Sequence, residues 1–250
     1  MRVLVFSKTT GYRHESIPAG ISAFERLAQQ SQQPGSPTGS PRPFTVTSTE
    51  DASIFTNADL ASFGVIVLLQ TSGDFLSATQ LDSLKGFVRA GRGVVGVHCA
   101  STGMPSDPWY GRMIGAVFDN HPQPQRGVMT VEDRNHAIVK NTLGKGKGVW
   151  LMNRDDPSSS KVRWEWYDEW YNYVRNPRSV GDNIRVLLSV DDTTYEGGKH
   201  ADDHPIAWCQ EFEGGRTFYT ALGHFDEAYA DEAFLGQLLN AIAWTSRQID

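Results

Sequence analysis

An α/β chain with a mostly parallel sheet wrapped by helices is predicted by three features of this sequence. Residues 64–69 and 93–98 are apolar runs without alternation, the pattern of strands buried on both faces. Residues 77–89 lie between them and carry Leu81, Leu84 and Val88 at helical spacing. Strand, helix and strand at this spacing form a βαβ unit, which requires a parallel sheet with helices on its faces.

The other elements follow in order. Residues 2–7 are a short β-branched and aromatic run, read as a buried first strand. A helix starts near Pro18, a residue suited to a first helical turn, and buries Ile21, Phe24 and Leu27. Residues 31–43 hold four prolines with glycines and serines and nothing large enough to anchor a core, so a mobile surface insertion is expected there. Residues 44–48 are expected as the second strand. Beyond residue 100 the pattern is less regular, with strands expected at 128–131, 184–190, 206–212 and 217–221 and a closing helix at 234–244. No linker divides the chain and no repeat appears, so residues 1–250 are expected to form one domain with an elaborated second half.

Composition narrows the function. A net charge of -6 without a basic run argues against nucleic acid, whose binders need clustered Lys and Arg. No stretch has the roughly 20 apolar residues of a membrane span. The apolar run at residues 1–6 is too short for a signal-peptide core. Two cysteines, Cys99 and Cys209, make no disulfide framework. A reducing, cytoplasmic location is therefore expected. Seven Trp and eight Tyr offer flat amphipathic rings that suit sugar faces, although filling the core is their commoner use.

In open α/β sheets ligands bind beyond the carboxyl ends of the strands. That rule selects the segments containing His14, Gln70–Ser72, His98 and His224, so three of the seven histidines should share one rim. At 96–100 a strand enters a sharp turn, with His98 at the exposed position and Cys99 expected to point into the packing. Asp168 and Glu169 sit among Tyr167, Trp170 and Tyr171, where desolvation would raise a carboxyl pKa and suit it to acid–base work. A bland alternative is an ion pair with Arg175 or Arg178. His121, His136, His200 and His204 lie near turns without paired metal-motif spacing and read as surface or loop-fixing residues. His204 follows Asp202 and Asp203, a group suited to ordering a loop over the site.

Together these strings resemble the ThuA-like (trehalose utilisation) family almost end to end. The resemblance rests on residues 10–17 (Thr-Gly-Tyr-Arg-His-Glu-Ser-Ile), 96–100 (Gly-Val-His-Cys-Ala), 109–115, 168–171 (Asp-Glu-Trp-Tyr), 176–178, 203–208, 214–216 and 219–224. It implies a flavodoxin-like, class I glutamine-amidotransferase-like fold and a role in trehalose and related disaccharide use at the stage of 3-keto sugars. The amidotransferase elbow has a thiol where this chain has His98, so glutamine amide chemistry is not expected.

The expected catalytic groups are His98, Glu169, Asp168, His14 and His224, with Glu169 or His98 as base. His14 and Arg13 would steady a developing oxyanion. Tyr12, Arg13, Trp109, Tyr171, Arg178 and His204 are the expected sugar contacts. His14, His98, Glu169 and His224 have the ligand types of a Zn or similar divalent site. The expected partner is a small carbohydrate, with no nucleic acid and no membrane; a homo-oligomer is compatible with the sequence. The alternative is a sugar-binding or regulatory protein that turns nothing over. A nucleotide or flavin binder is disfavoured, because no Gly-rich phosphate cradle is present.

Overall fold

The computed structural model describes residues 1–33, 42–147, 149–151 and 162–250. Its elements in chain order begin with β1 (Arg2–Phe6), α1 (Ile17–Ser31), β2 (Thr45–Thr49), α2 (Asn57–Leu60), β3 (Val65–Leu69), α3 (Ala78–Arg89) and β4 (Gly93–Val97). An irregular stretch follows, holding α4 (Pro108–Ile114), β5 (Phe118–Asn120), β6 (Gln125–Val131), β7 (Val149–Leu151), β8 (Val162–Asp168) and β9 (Asn172–Tyr173). β10 (Arg185–Val190), β11 (Pro205–Phe212), β12 (Gly215–Thr220) and α5 (Glu232–Thr245) complete the chain.

Ten of the strands form one sheet in the order β2-β1-β3-β4-β12-β11-β10-β6-β8-β7. The half from β2 to β12 is parallel, and every later pairing is antiparallel. The sheet is thus mixed, and the expectation of a mostly parallel sheet holds for its first half only. β3 (VIVLL) and β4 (GVVGV) are buried at every position, as their unbroken apolar character requires. A Cβ on Gly93 would press on Thr245 of α5, and one on Gly96 would press on Ile114 of α4. Positions three apart on a strand face opposite ways, so helices cover both faces.

Local signals explain the helix starts. Ser77 and Gln80 form a reciprocal capping box at α3, and Asp231 accepts from the backbone N–H groups of Ala233 and Phe234 at α5. The expected elements at 128–131, 184–190, 206–212, 217–221 and 234–244 appear with ends shifted by a few residues. α4 and β5 to β9, except for the end of β6, were not expected. The proposed insertion at 31–43 falls largely outside the described residues.

Strand direction decides where the second half meets the first. β12 runs with β4, and four successive antiparallel pairings carry the sheet to β8, which therefore runs the same way as β12. The carboxyl end of β8, at Asp168, thus lies on the same side as those of β1, β3, β4 and β12. On a flat sheet β8 would stand about 19 Å from β12, at ~4.8 Å per strand. Instead Asp168 bonds directly to Gly223 and His224, just after β12. The antiparallel half curls over the carboxyl ends of the parallel half. Among the described residues no helix is long and apolar enough to cross a membrane.

Candidate metal centre

Each strand end delivers one group to the cleft under this curl. The loop after β1 is zipped to the loop after β3: Thr10 and Gly11 donate backbone N–H groups to the Ser72 carbonyl, and the Ser72 hydroxyl donates to the Tyr12 carbonyl. That fixes His14. At the end of β4, His98 takes a left-handed φ of 52°, an uncommon conformation for a residue with a Cβ, and its ring turns into the cleft. After β12, Gly223 at φ 113° lets the chain turn sharply and present His224.

The turn at 223–224 is held from both sides. Ser16 donates to the His224 carbonyl at 2.7 Å, and Gln70 donates to the Gly223 carbonyl at 2.6 Å. The Ser16 side chain makes no cap bond to α1, although it occupies the cap position. On the other side the buried Asp168 carboxylate accepts from four N–H groups: Gly223, His224, Glu169 and the Trp166 indole. Asp168 is thus a clamp between the two halves, and its neighbour Glu169 points at the histidines.

His14, His98, Glu169 and His224 each offer one ligand atom, and these atoms lie within 4.8 Å of one another. Nε2 of His14 and Nε2 of His98 face each other at 3.0 Å. Glu169 Oε2 lies 3.1 Å from His224 Nδ1, 3.3 Å from His98 Nε2 and 3.8 Å from His14 Nε2. His98 Nδ1 sits 2.6 Å from the Ala221 carbonyl and must donate to it, so its Nε2 keeps a lone pair toward the cluster. A backbone carbonyl behind an imidazole is a common outer partner of a metal ligand.

Electrostatics reinforce this state. Burial pushes His14 down to about 4, which keeps its imidazole neutral, with a lone pair on one of its two ring nitrogens. Burial alone would raise Glu169, but the ring nitrogens of His14, His224 and His98 around it outweigh burial and hold the carboxyl well below the usual range. The shift runs opposite to the expected rise, and Glu169 is held as a carboxylate. Burial also lowers His224, yet the Glu169 carboxylate wins and the net shift is upward.

The sequence-named residues divide into three groups. Tyr171 joins the cluster, its hydroxyl donating to His98 Nε2 at 2.9 Å. Tyr12 stands at the mouth, exposed, with its ring 4.8 Å from that of His14. A cavity of about 280 Å³ opens there, lined by Tyr12, His14, Ser16, His224, Phe225 and Glu227. His204 is buried behind the cluster, where its Nδ1 faces Asp192 and its Nε2 holds the Tyr171 carbonyl, so it positions Tyr171 instead of touching a sugar.

Three expected sugar contacts stand elsewhere. Arg13 pairs with Glu50 on the surface. Arg178 is bound between Glu132 and Asp203, which also removes it as an ion-pair partner for Asp168 or Glu169. Trp109 is buried against Phe212, which pairs with the first residue of β12, so α4 carries it to the amino ends of the parallel strands and away from the histidines. His121, read from sequence as a surface residue, instead approaches the cluster: its Nδ1 lies 3.5 Å from Glu169 Oε1, and its ring stacks on Tyr171. No sequence spacing marked it, since β5 and β9 bring it in. Cys99 is buried on the Gln70 carbonyl, and desolvation pushes its thiol up to about 12, as an inward-facing cysteine should behave.

Comparison with known proteins bears on the family and the fold. The family model ThuA, trehalose utilisation, matches residues 2–146 and 144–245. The chain belongs to the ThuA family. The link to trehalose utilisation places this ThuA protein in carbohydrate metabolism. None of the curated proteins matches it significantly. Among solved structures it is similar to a ThuA-like protein from Bacteroides uniformis, with 23% identity, a TM-score of 0.73, and 98% of this chain and 91% of that chain covered. A ThuA-like protein from Parabacteroides merdae aligns at 18% identity and a TM-score of 0.70, covering 99% and 90% of the two chains. A cytoplasmic protein from Salmonella typhimurium aligns at 10% identity and 0.53, covering 98% and 99%. At these identities the solved structures support the fold alone.

Proposed function

We propose that this ThuA protein is a metal-dependent enzyme that isomerises, eliminates or hydrolyses a keto-sugar or disaccharide of the 3-keto-glycoside type. The observation that carries the reading is the convergence of three imidazoles and one carboxylate from four distant segments. Three features favour a divalent first-row ion such as Zn: the N₃O donor set, the fixed lone pair of His98 and the ionised Glu169. His14, His98, Glu169 and His224 would hold the ion. When bound, it would polarise a sugar oxygen as a Lewis acid.

The remaining steps belong to the chain's own groups. Burial raises the Tyr171 phenol well above its ordinary range, so its O–H stays protonated and serves as a donor to a substrate oxygen that gains charge. His121 stands partly exposed beside Glu169 and Tyr171, with Nδ1 2.8 Å from the Pro122 carbonyl. Donation there leaves its Nε2 lone pair free to take a proton from a carbon next to a ketone and to return it. His204 and Asp168 position these groups. The high thiol pKa of Cys99 argues against an amidotransferase-type nucleophile. The parallel half, ordered β2-β1-β3-β4-β12, fits the 2-1-3-4-5 order of a flavodoxin-like unit with β12 in fifth place.

Metal analysis of the purified protein, combined with turnover of 3-keto-trehalose with and without chelator, tests the proposal. About one equivalent of metal and chelator-sensitive product are expected. A protein that binds the sugar saturably yet gives no product with any divalent ion would be a binding protein, and the enzymatic reading would be wrong.

A further inference from the structure

The cavity at the cluster does not end at Phe225. A second cleft of about 460 Å³ begins on the far side of that ring and shares Phe225 and Glu227 with the first. Its floor is aromatic: the Tyr167 and Phe225 rings lie 5.3 Å apart at 33°, with Trp166 beside them. Tyr167 is 47% exposed, unusual for so large a ring, and β8 explains it. Along that strand Trp164, Trp166 and Asp168 are buried while Glu165 and Tyr167 face outward, so strand alternation obliges Tyr167 to leave the core.

The walls are polar and carry both signs of charge. Arg126 and Lys147 stand against Glu165 and Glu227, and Arg126 pairs with Glu165 at 3.1 Å. Asp231 is already occupied in capping α5. Two cations against three carboxylates leave a slight negative excess, so the cleft selects against anionic ligands. Flat apolar rings edged by donors and acceptors suit a neutral polyol, whose C–H face is apolar and whose rim is hydroxylated.

We infer that the Tyr167–Phe225 cleft is a second sugar subsite, which binds the outer ring of a disaccharide while the inner ring lies at the cavity beside His14 and His224. Tyr167 is then a specificity-determining residue that separates disaccharides from monosaccharides. The inference rests on the proposed function only for the position of the inner ring.

The test uses the full-length protein with its metal content as purified. Binding of trehalose, 3-keto-trehalose and glucose is measured by calorimetry and saturation-transfer NMR for the unmodified protein, Tyr167→Ala and Tyr167→Phe. At least one disaccharide should bind more tightly than glucose. Tyr167→Ala should weaken that disaccharide about 10-fold, the loss of one stacked ring at ~1.4 kcal/mol per decade, and leave glucose unchanged. Tyr167→Phe should restore most of the difference, because it keeps the ring. Disaccharides binding no better than glucose, or a Tyr167→Ala effect equal on both, would overturn the subsite. Disaccharide preference that persists in a protein with no metal and no turnover would sink the enzymatic reading and leave the subsite standing.

Discussion

The parallel and antiparallel halves of this sheet contribute to the same cleft by different physical routes. The parallel half supplies His14, His98 and His224 from strand ends, where any doubly wound sheet opens toward a ligand. The antiparallel half supplies Glu169, Tyr171 and His121 only because it folds back over those ends. A site shared this way depends as much on the seam between the halves as on the ligand-type residues themselves. Asp168 is the principal rivet of that seam.

The largest expected effect breaks the sharing outright. Glu169→Gln should lower metal content and turnover more than about 100-fold, because it removes the carboxylate of the four-residue cluster, a contribution the parallel half does not replace. Elemental analysis checks it; full metal occupancy in that variant would show that the parallel half suffices alone. Asp168→Ala should cost about 3 kcal/mol or more, since four N–H donors lose their acceptor in a buried place. A urea titration that shows less than about 1 kcal/mol would mean the seam is held elsewhere.

A second contact across the seam gives a pH signature. His136 in the antiparallel half packs beside Trp244 of α5, and its burial depresses it to about 4 from 6.5. The unfolded chain therefore binds the extra proton between those values, and stability must fall as pH drops from 6.5 to 4. Above pH 6.5 the group has no effect. Its share of the loss is roughly 3 kcal/mol. His136→Gln should remove that share from denaturation curves at pH 7 and pH 4.5; an unchanged pH slope would show that His136 is not the group responsible. The smallest effect is expected for Arg13→Ala. Its exposed pair with Glu50 is worth no more than about 0.5 kcal/mol, and turnover should stay within twofold. A large kinetic loss there would restore Arg13 to the sugar site.

The same contrast sets what could be read from the residues. β3 and β4 are legible because burial on both faces leaves an unbroken apolar run, and the rim histidines follow from strand ends. β8 alternates Trp with Arg, Glu and Tyr, a period-two signal that is hard to see because the aromatic residues run on without alternation through Trp170 and Tyr171. His121 could not be placed, because its approach depends on the pairing of β5 with β9, which no local pattern encodes. Trp109 lies in a motif shared with the family, yet a motif does not state which end of the sheet a helix faces.

The order of ligand-type residues along the chain has a further consequence. A chain growing from its N-terminus owns His14 and His98 first, Glu169 much later and His224 last. Two imidazoles alone grip an ion weakly. An ion that needs all four donors would therefore be held only once both halves of the sheet have folded, so the cluster would act as a lock on the finished seam rather than a seed for the first half.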